Sequence, residues 1–286
     1  MTNTTTTQTA VKRTWNNMRT KTLILLGIVL VVLLVVLAVG LTMHPDLYSS
    51  HLTGKLQKPS GAHWFGTDYL GHDMFHRTIR GLALSILIGL GASIISGVIA
   101  IVLGTISAVC SGWIDKVVLW AVDLVLSIPH MVLLLLISFA LGGGVQGVIV
   151  AVALSHWPTL TRVIRAEVLR IKTSQYVAQS RSFGKSGVWI AFHHVIPHIL
   201  PQAIVGIIML FPHAILHESA LTFLGFGLPL DSPAIGAILT DAMKFIATGQ
   251  WWLAFFPGLL LVIIVLLMFT LGDNIKHLLS PQTAQE

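Results

Sequence analysis

Residues 162–201, RVIRAEVLRIKTSQYVAQSRSFGKSGVWIAFHHVIPHILP, form a charged segment between long apolar segments. Glu167 is its single acid, and its basic residues are Arg162, Arg165, Arg170, Lys172, Arg181 and Lys185. This charge is too costly for the hydrocarbon of a bilayer, and an excess of lysine and arginine is typical of cytoplasmic loops. We therefore expect residues 162–198 to form a cytoplasmic loop between two membrane spans.

Two short helices are predicted within this loop. Residues 174–183 lack proline and glycine and place apolar and small side chains on one helical face: Tyr176, Val177, Ser180 and Phe183. After Gly184, a second pattern groups Val188, Trp189, Phe192 and Val195 before Pro197, which is expected to end the helix. The prediction is a helix, a bend and a second helix outside the bilayer.

The composition places the chain among membrane proteins. Hydrophobic residues make up 55% of the chain, charged residues only 10%, and the mean hydropathy is +0.85. Such a chain cannot cover its surface with polar groups in water, so we expect an all-α polytopic membrane protein. The net charge of +6 invites a nucleic-acid function, but the basic residues follow the pattern of membrane loops.

Six membrane spans are predicted along the chain. The first, residues 23–41, is uncharged and about 28 Å long as a helix, which is enough to cross a bilayer. The other expected spans are 82–109, 117–141, 145–160, 199–221 and 253–271. The corresponding domains are a cytoplasmic tail (1–21), the first transmembrane helix (22–43), an extracytoplasmic loop (44–80), a core of five transmembrane helices (81–275) and a cytoplasmic tail (276–286).

The distribution of basic residues predicts that both termini are cytoplasmic. Of the 17 lysines and arginines, 12 fall in segments that are then inside. Those expected outside are Lys55, Lys58, Arg77, Arg80 and Lys244. This bias is the one that orients membrane proteins.

The cytoplasmic loop resembles the coupling loop of permease subunits of binding-protein-dependent ABC importers. The family motif is Glu-Ala-Ala, three residues, Gly, nine residues and Ile-x-Leu-Pro, and Gly184 and Pro197 stand at that separation. The chain departs from the motif at Ala178, Gln179 and Ser180 in place of Glu-Ala-Ala, and at His194 and Ile196 in place of Ile and Leu.

A second resemblance lies after the first span, in residues 63–77. It resembles the signature Gly-Thr-Asp, two residues, Gly-Arg-Asp and a later Arg of the dipeptide, oligopeptide and nickel branch of these permeases. The matching residues are Gly66, Thr67, Asp68, Gly71, Asp73 and Arg77, whereas His72 replaces an arginine. Residues 222–229 resemble the Ser-Phe-Leu-Gly-Leu-Gly element of the family's outer mouth.

The resemblance implies the type I ABC importer permease fold and the partners of such an importer in a bacterial inner or plasma membrane. These are a homologous second permease, two ATPases that bind ATP and Mg²⁺, and an extracytoplasmic solute-binding protein. It implies that the ATPases move the loop around Gly184 and so switch the spans between outward-open and inward-open states. The residues expected to couple the loop to the ATPase are Tyr176, Val177, Ala178, Gln179, Ser180, Arg181, Phe183 and Gly184.

Enzymatic chemistry is not expected in this chain. The nucleotide-binding pattern G-x-x-x-x-G-K-S/T does not occur, so ATP hydrolysis and its cofactors are assigned to the partners. His217-Glu218 begins an H-E-x-x-H metalloprotease motif, but Leu221 occupies the position of the second histidine. A secondary transporter or a channel subunit, which would need no ATPase, remains a minor alternative.

Asp123 and three histidines are candidate functional residues within the spans. A carboxylate in the membrane is costly, and pairing with an arginine or a helix end is the favoured role of Asp123. His213 and His217 lie four residues apart on one helical face, and imidazoles so spaced can contact one transition-metal ion. His130, after Pro129, is expected to face the pathway.

Two cargoes are compatible with the sequence. The segment 212–225 resembles nickel-importer permeases, which carry His-x-x-x-His there, and residues 152–157 resemble their fourth span. The first expectation is therefore nickel or a related transition metal carried as a small chelate, with His213 and His217 as transit contacts. The alternative is a dipeptide or oligopeptide, the cargo of the branch as a whole.

Overall fold

The computed structural model describes residues 4–49, 54–110 and 112–279. In these residues the regular structure is helical, apart from an isolated antiparallel bridge between Thr67 and Asp73. The helices are α1 (Thr4–Thr42), α2 (Met74–Cys110), α3 (Gly112–Ser127), α4 (His130–Ala140), α5 (Gly144–Lys172), α6 (Gln175–Ser182), α7 (Gly187–Ile190), α8 (Ile196–Phe223), α9 (Ile235–Ile246) and α10 (Trp252–Leu279). The predicted all-α architecture is confirmed.

Five helical segments of the described chain are long and apolar enough to cross a membrane. They are Thr20–Thr42, Met74–Cys110, Gly144–Lys172, Gly187–Phe223 and Trp252–Leu278. A sixth crossing is obtained if α3 and α4, which meet at an angle of 96°, count as one broken span. The six predicted spans therefore correspond to five helices and one bent pair.

The third predicted span is the one that the structure breaks. Residues 117–141 were expected as a single helix, but α3 ends at Ser127 and α4 begins at His130. Pro129 lacks a backbone N–H and disfavours helical backbone at the preceding residue, which favours the end of α3 at this point. The break is the reason that α4 turns away from α3.

Helix α2 lies at the centre of the bundle and contacts α1, α3, α5, α8, α9 and α10. Small residues recur every four positions along this helix and are buried, at Ala92, Ser96, Ala100, Gly104 and Ala108. The small side chains let other helices approach α2 closely. At Gly97, an added Cβ would lie only 2.3 Å from the side chain of Ile207 in α8. Small residues at this spacing are typical of packed membrane helices.

Several helices extend beyond their predicted ends. The structure has α1 beginning at Thr4, so residues 4–21 of the expected tail are helical, and α10 continues to Leu279 of the expected C-terminal tail. Residues 280–286 lie outside the described residues. Helix α2 begins at Met74 rather than at residue 82, because Arg77 in its first turns is neutralised by buried carboxylates.

The loop that was expected to be cytoplasmic is shorter than predicted. Helix α5 continues through Pro158 to Lys172, and residues 187–223 form one continuous helical path in which α7 passes through a π-helical turn, Ala191–Val195, into α8. Pro197 was expected to end a helix, but it lies in the first turn of α8, where a missing N–H is tolerated. The loop proper is therefore α6 and its two short connections.

Candidate translocation and coupling sites

The coupling-loop prediction centres on α6 and the turn at Gly184. Gly184 has a φ of +73°, and the backbone N–H of Lys185 donates to the carbonyl of Ser180 at 3.1 Å. Glycine adopts this left-handed conformation without the steric cost that a Cβ imposes, and such turns commonly end helices. The hydroxyl of Ser186 then accepts from the backbone N–H of Trp189 at 3.2 Å and caps α7.

One hydroxyl joins the two sides of this turn. Ser180 Oγ donates to the carbonyl of Tyr176 at 2.9 Å and lies 2.9 Å from Nε2 of His194. Because the single hydroxyl hydrogen is used toward Tyr176, Nε2 of His194 must be the donor in the second bond. The ring of His198 stacks on Tyr176 with centroids 5.5 Å apart. These contacts fix α6 against the start of α8.

The side chains predicted on the apolar face of the loop differ in their exposure to solvent. Val177 is fully buried and packs with the core around Ile171, Ile190 and Val195. Phe183 is instead 81% exposed, and Tyr176 of α6, Val188 of α7 and Phe192 of the π-helical turn are exposed as well. Ala178, Gln179 and Arg181 are also exposed, whereas Ser180 is half-buried. The loop thus anchors itself through Val177 and presents an apolar surface elsewhere.

The ion pairs beside this loop connect α3 to α5. Asp123 pairs with Arg162, which is the pairing with an arginine that the sequence favoured. Arg165 binds Asp115 with two parallel hydrogen bonds of 2.7 Å, from Nε to Oδ1 and from Nη2 to Oδ2. Bidentate guanidinium–carboxylate pairs are both strong and geometrically specific. They hold the first half of the broken span against the helix that leads into the loop.

The signature residues 66–77 converge at the beginning of α2. Asp68 accepts hydrogen bonds from the ring of His72 at 2.6 Å and from Nη1 of Arg77 at 2.7 Å. Arg77 also donates to Asp241 of α9 at 3.4 Å. Burial opposes ionisation of Asp68, but the His72 hydrogen bonds and the charge of Arg77 outweigh it and lower the pKa of this carboxyl. The network closes the end of the bundle that is expected to be extracytoplasmic.

A second carboxylate of this region binds two histidines. Asp73 lies 2.7 Å from Nδ1 of His63 and 2.9 Å from Nδ1 of His76. Burial of Asp73 opposes its ionisation, but these contacts outweigh the burial and lower its pKa. With Gly66 and Gly71 in left-handed turns, the segment forms a compact cap rather than a solvated loop.

A group of three histidines lies within the membrane-spanning helices. His130 begins α4, His156 lies in α5 and His217 lies in α8. The ring centroids are 4.7 Å apart for His130 and His156, 4.6 Å for His130 and His217, and 5.0 Å for His156 and His217. One potential ligand atom from each ring lies within 4.8 Å of the others. The arrangement offers three nitrogen ligands to one ion.

Of the predicted pair His213 and His217, only His217 belongs to this group. His213 is exposed and its ring contacts the edge of Phe269, with centroids 5.0 Å apart. It nevertheless lines the same cavity as His130 and His156, a space of about 390 Å³ that also includes Met209. Pockets of roughly 300–1,000 Å³ are typical of small-molecule sites.

Glu218 points away from the histidines despite its position in the sequence. It is fully buried and accepts hydrogen bonds from the hydroxyls of Thr222 at 3.1 Å and Ser219 at 3.2 Å. Its carboxyl therefore supports packing around α8 and is not one of the ligands grouped with His217.

Sequence reasoning missed His156 as a member of the group. It lay in a segment noted only for its resemblance to the fourth span of nickel-importer permeases, and nothing in the spacing connected it to His130 or His217. The available signal was that spans four and five each carry histidine and that His130 follows a proline that breaks its span.

Comparison with known proteins gives consistent matches. Residues 100–285 match a family described as "Binding-protein-dependent transport system inner membrane component". The dipeptide transport system permease protein DppC of Bacillus subtilis (strain 168) is 30% identical over 270 residues, covering 94% of this chain and 84% of that protein. The probable D,D-dipeptide transport system permease protein DdpC of Escherichia coli (strain K12) is 34% identical over 255 residues, covering 89% and 85%.

The fold is also similar to a solved structure. A chain of the MetNI methionine ABC transporter in an inward-facing conformation superposes with a TM-score of 0.60 and 20% sequence identity. The superposition covers 72% of this chain and 98% of that chain. At this identity the likeness concerns the fold alone, which is the type I importer fold predicted from the coupling loop.

Proposed function

Because this chain belongs to the family of binding-protein-dependent transport system inner membrane components, we propose that, as the permease of an ABC importer, it carries small peptides across the membrane. The observation that supports a peptide cargo is the alignment over nearly the whole chain with permeases named for dipeptide transport. A cavity of about 390 Å³ between α5 and α8 is compatible with a solute of that size.

The energy for transport comes from partner subunits in this proposal. Two ATPases dock on α6 and the turn at Gly184, and a homologous permease supplies the other half of the pathway. A solute-binding protein delivers cargo on the side of Asp68 and Arg77, with both termini of the chain in the cytoplasm. The support for the docking surface is the exposed side chain of Phe183 beside the buried anchor Val177.

Nickel or a related transition metal, carried as a small chelate, is the second candidate cargo. The observation that favours it is the convergence of His130, His156 and His217 on one point within the membrane. Neutral imidazole is a good ligand for nickel, copper and zinc. The relatives named here are peptide permeases, so this cargo rests on the histidines alone.

Uptake by cells that depend on this chain tests the cargo. A strain lacking the permease is supplied with the chain, and uptake of a labelled dipeptide and uptake of labelled nickel are each measured in competition with unlabelled dipeptides and with nickel chelates. Competition by dipeptides supports the first proposal, whereas competition by metal chelates alone supports the second. Absence of any restored uptake contradicts both.

Docking of the ATPases is tested by charge substitution on the exposed surface of the loop. Phe183→Asp places a charge on a side chain that is 81% exposed, so it is expected to reduce co-purification of the ATPases without unfolding the permease. Leu47→Asp is the control, because Leu47 is 49% exposed on the side expected to be extracytoplasmic. Equal ATPase recovery with both variants would argue against docking at Phe183.

A further inference from the structure

We propose that His130, His156 and His217 form an open binding site for a divalent transition metal that arrives with an anionic chelator. This inference rests on the second candidate cargo of the proposed function and specifies its binding site. The three ligands come from different helices, α4, α5 and α8, and the potential ligand atoms lie within 4.8 Å of one another. Three histidines on three helices are not a product of local helical spacing.

The hydrogen bonds of His156 leave one of its ring nitrogens available. Its Nδ1 lies 2.9 Å from the carbonyl of Val152, an acceptor that has no hydrogen to give, and 2.9 Å from the hydroxyl of Ser155, whose own hydrogen is donated to that carbonyl at 3.1 Å. Nδ1 therefore carries the proton, and Nε2 keeps its lone pair. A ligating histidine almost always donates its other ring N–H to a carbonyl or carboxylate in this way, which fixes the tautomer and the ring orientation.

His130 supplies a second sign of an incomplete site. Its Nε2 is buried and has no hydrogen-bond partner among the described residues. A buried polar nitrogen without a partner is unfavourable, so the site gains when a ligand satisfies it.

The charge of the site selects the form of the cargo. The ligand group consists of three imidazoles and contains no carboxylate, and the carboxyl of Glu218 is bonded to Thr222 and Ser219. Neutral ligands leave the double charge of a bound ion uncompensated inside the membrane, which is costly. The compensating anion must then enter with the metal, so we expect a complex with a carboxylate-bearing chelator of the size of an amino acid or a dipeptide.

The geometry also indicates that binding is transient. With metal–nitrogen distances of about 2.0–2.1 Å, two nitrogens bound to one ion lie at most about 4.2 Å apart, so rings whose ligand atoms are spread over 4.8 Å must move inward to bind. His130 occupies the first position after the break between α3 and α4, where the helix axes differ by 96°. A change in that angle would separate its ring from α5 and α8 and release the ion.

Metal binding to the assembled importer tests this site directly. The complex is purified with a tag that contains no histidine and titrated with Ni²⁺ alone and with Ni²⁺ premixed with diglycine. His130→Ala, His156→Ala and His217→Ala are each expected to weaken binding by at least about tenfold, since losing even a supporting group around a metal costs about 10–100-fold. Premixed diglycine is expected to strengthen binding to the wild type.

His213→Ala is the matched control, because His213 lines the cavity but is not part of the ligand group. Unchanged Ni²⁺ affinity in the three variants, or an equal loss in His213→Ala, would overturn the site. X-ray absorption at the nickel edge of the wild-type complex gives a measurement that needs no variant, and a spectrum without imidazole scattering would overturn it as well. Dipeptide uptake by the same preparation separates the two proposals, since intact uptake without metal binding removes only the metal site.

Discussion

Arg77 of α2 donates a hydrogen bond to Asp241 of α9 at 3.4 Å, although 164 residues separate them in the sequence. The same guanidinium binds Asp68 at 2.7 Å, so one cation is shared by two buried carboxylates. The arrangement joins the segment before α2 to the helix between α8 and α10. It fixes the end of the bundle that is expected to be extracytoplasmic as one unit.

Replacing Arg77 should therefore destabilise the permease strongly. Arg77→Ala leaves the carboxylates of Asp68 and Asp241 buried without their shared cation, and breaking a buried pair typically costs about 3–5 kcal/mol. We expect a large fall in the melting temperature of the purified complex. Lys244→Ala removes a mostly exposed partner of Asp241 and should leave the melting temperature near that of the wild type. Similar losses in both variants would show that the network is not held by Arg77.

The histidine contacts of Asp73 predict a dependence of stability on pH. The pKa of this carboxyl is lowered in the folded state, so its stabilisation is complete above the unfolded pKa of about 3.9 and is lost as the pH falls through the lower folded value. The melting temperature of Asp73→Asn should lie below that of the wild type at pH 6, and the difference should shrink as the pH approaches 3.5. Asp231→Asn, at an exposed position, is the control. A gap that widens on acidification would contradict this sign.

The turn after α6 predicts different effects for two nearby glycines. A Cβ on Gly184 or on Gly187 would meet open space, but only Gly184 has a φ in the left-handed region, at +73°. The left-handed conformation costs a residue with a Cβ roughly 1–2 kcal/mol. Gly184→Ala should therefore loosen the turn and lower ATP-driven uptake in proteoliposomes, whereas Gly187→Ala should retain it. Full uptake with Gly184→Ala would count against a rigid coupling loop.

The close packing of α2 gives another matched pair. A Cβ on Gly81 would lie 2.2 Å from the backbone carbonyl oxygen of Pro233, whereas one on Gly91 would meet nothing within 4 Å. Overpacking typically costs about 1–3 kcal/mol, so Gly81→Ala should lower the melting temperature of the complex. Gly91→Ala should leave it unchanged or raise it, because alanine favours helix over glycine. Equal melting temperatures for the two variants would refute the close approach of Pro233 to α2.

The large features of the fold could be predicted because they depend on hydrophobicity and charge. The uncharged runs identified the spans, and the basic residues around Arg162 located the loop. The ends of helices were predicted less well, since they depend on tertiary contacts that a sequence does not display. The charge of Arg77 spoke against a membrane helix at that position, because its two carboxylate partners are visible only in the structure. Pro197 was expected to end a helix, but it lies in the first turn of α8.

The candidate site could likewise be predicted only where local sequence spacing was sufficient. His213 and His217 are four residues apart, so helical spacing alone could relate them. In the structure His213 lines the cavity, and His217 belongs to the three-histidine group beside it. The convergence of His130, His156 and His217 depends on how α4, α5 and α8 pack, which no local pattern contains. Helix α9 was also missed, although Ile235, Ile238 and Ala242 follow a helical period.

The interruption at Pro129 has a consequence for hydration. No side chain caps the beginning of α4, and main-chain groups freed at such a break cannot be satisfied by lipid tails. They require either protein partners or water, so we expect water at the break between α3 and α4 wherever no partner subunit covers it. A thin column of water standing partway into the bilayer would shorten the dry distance that any solute has to cross.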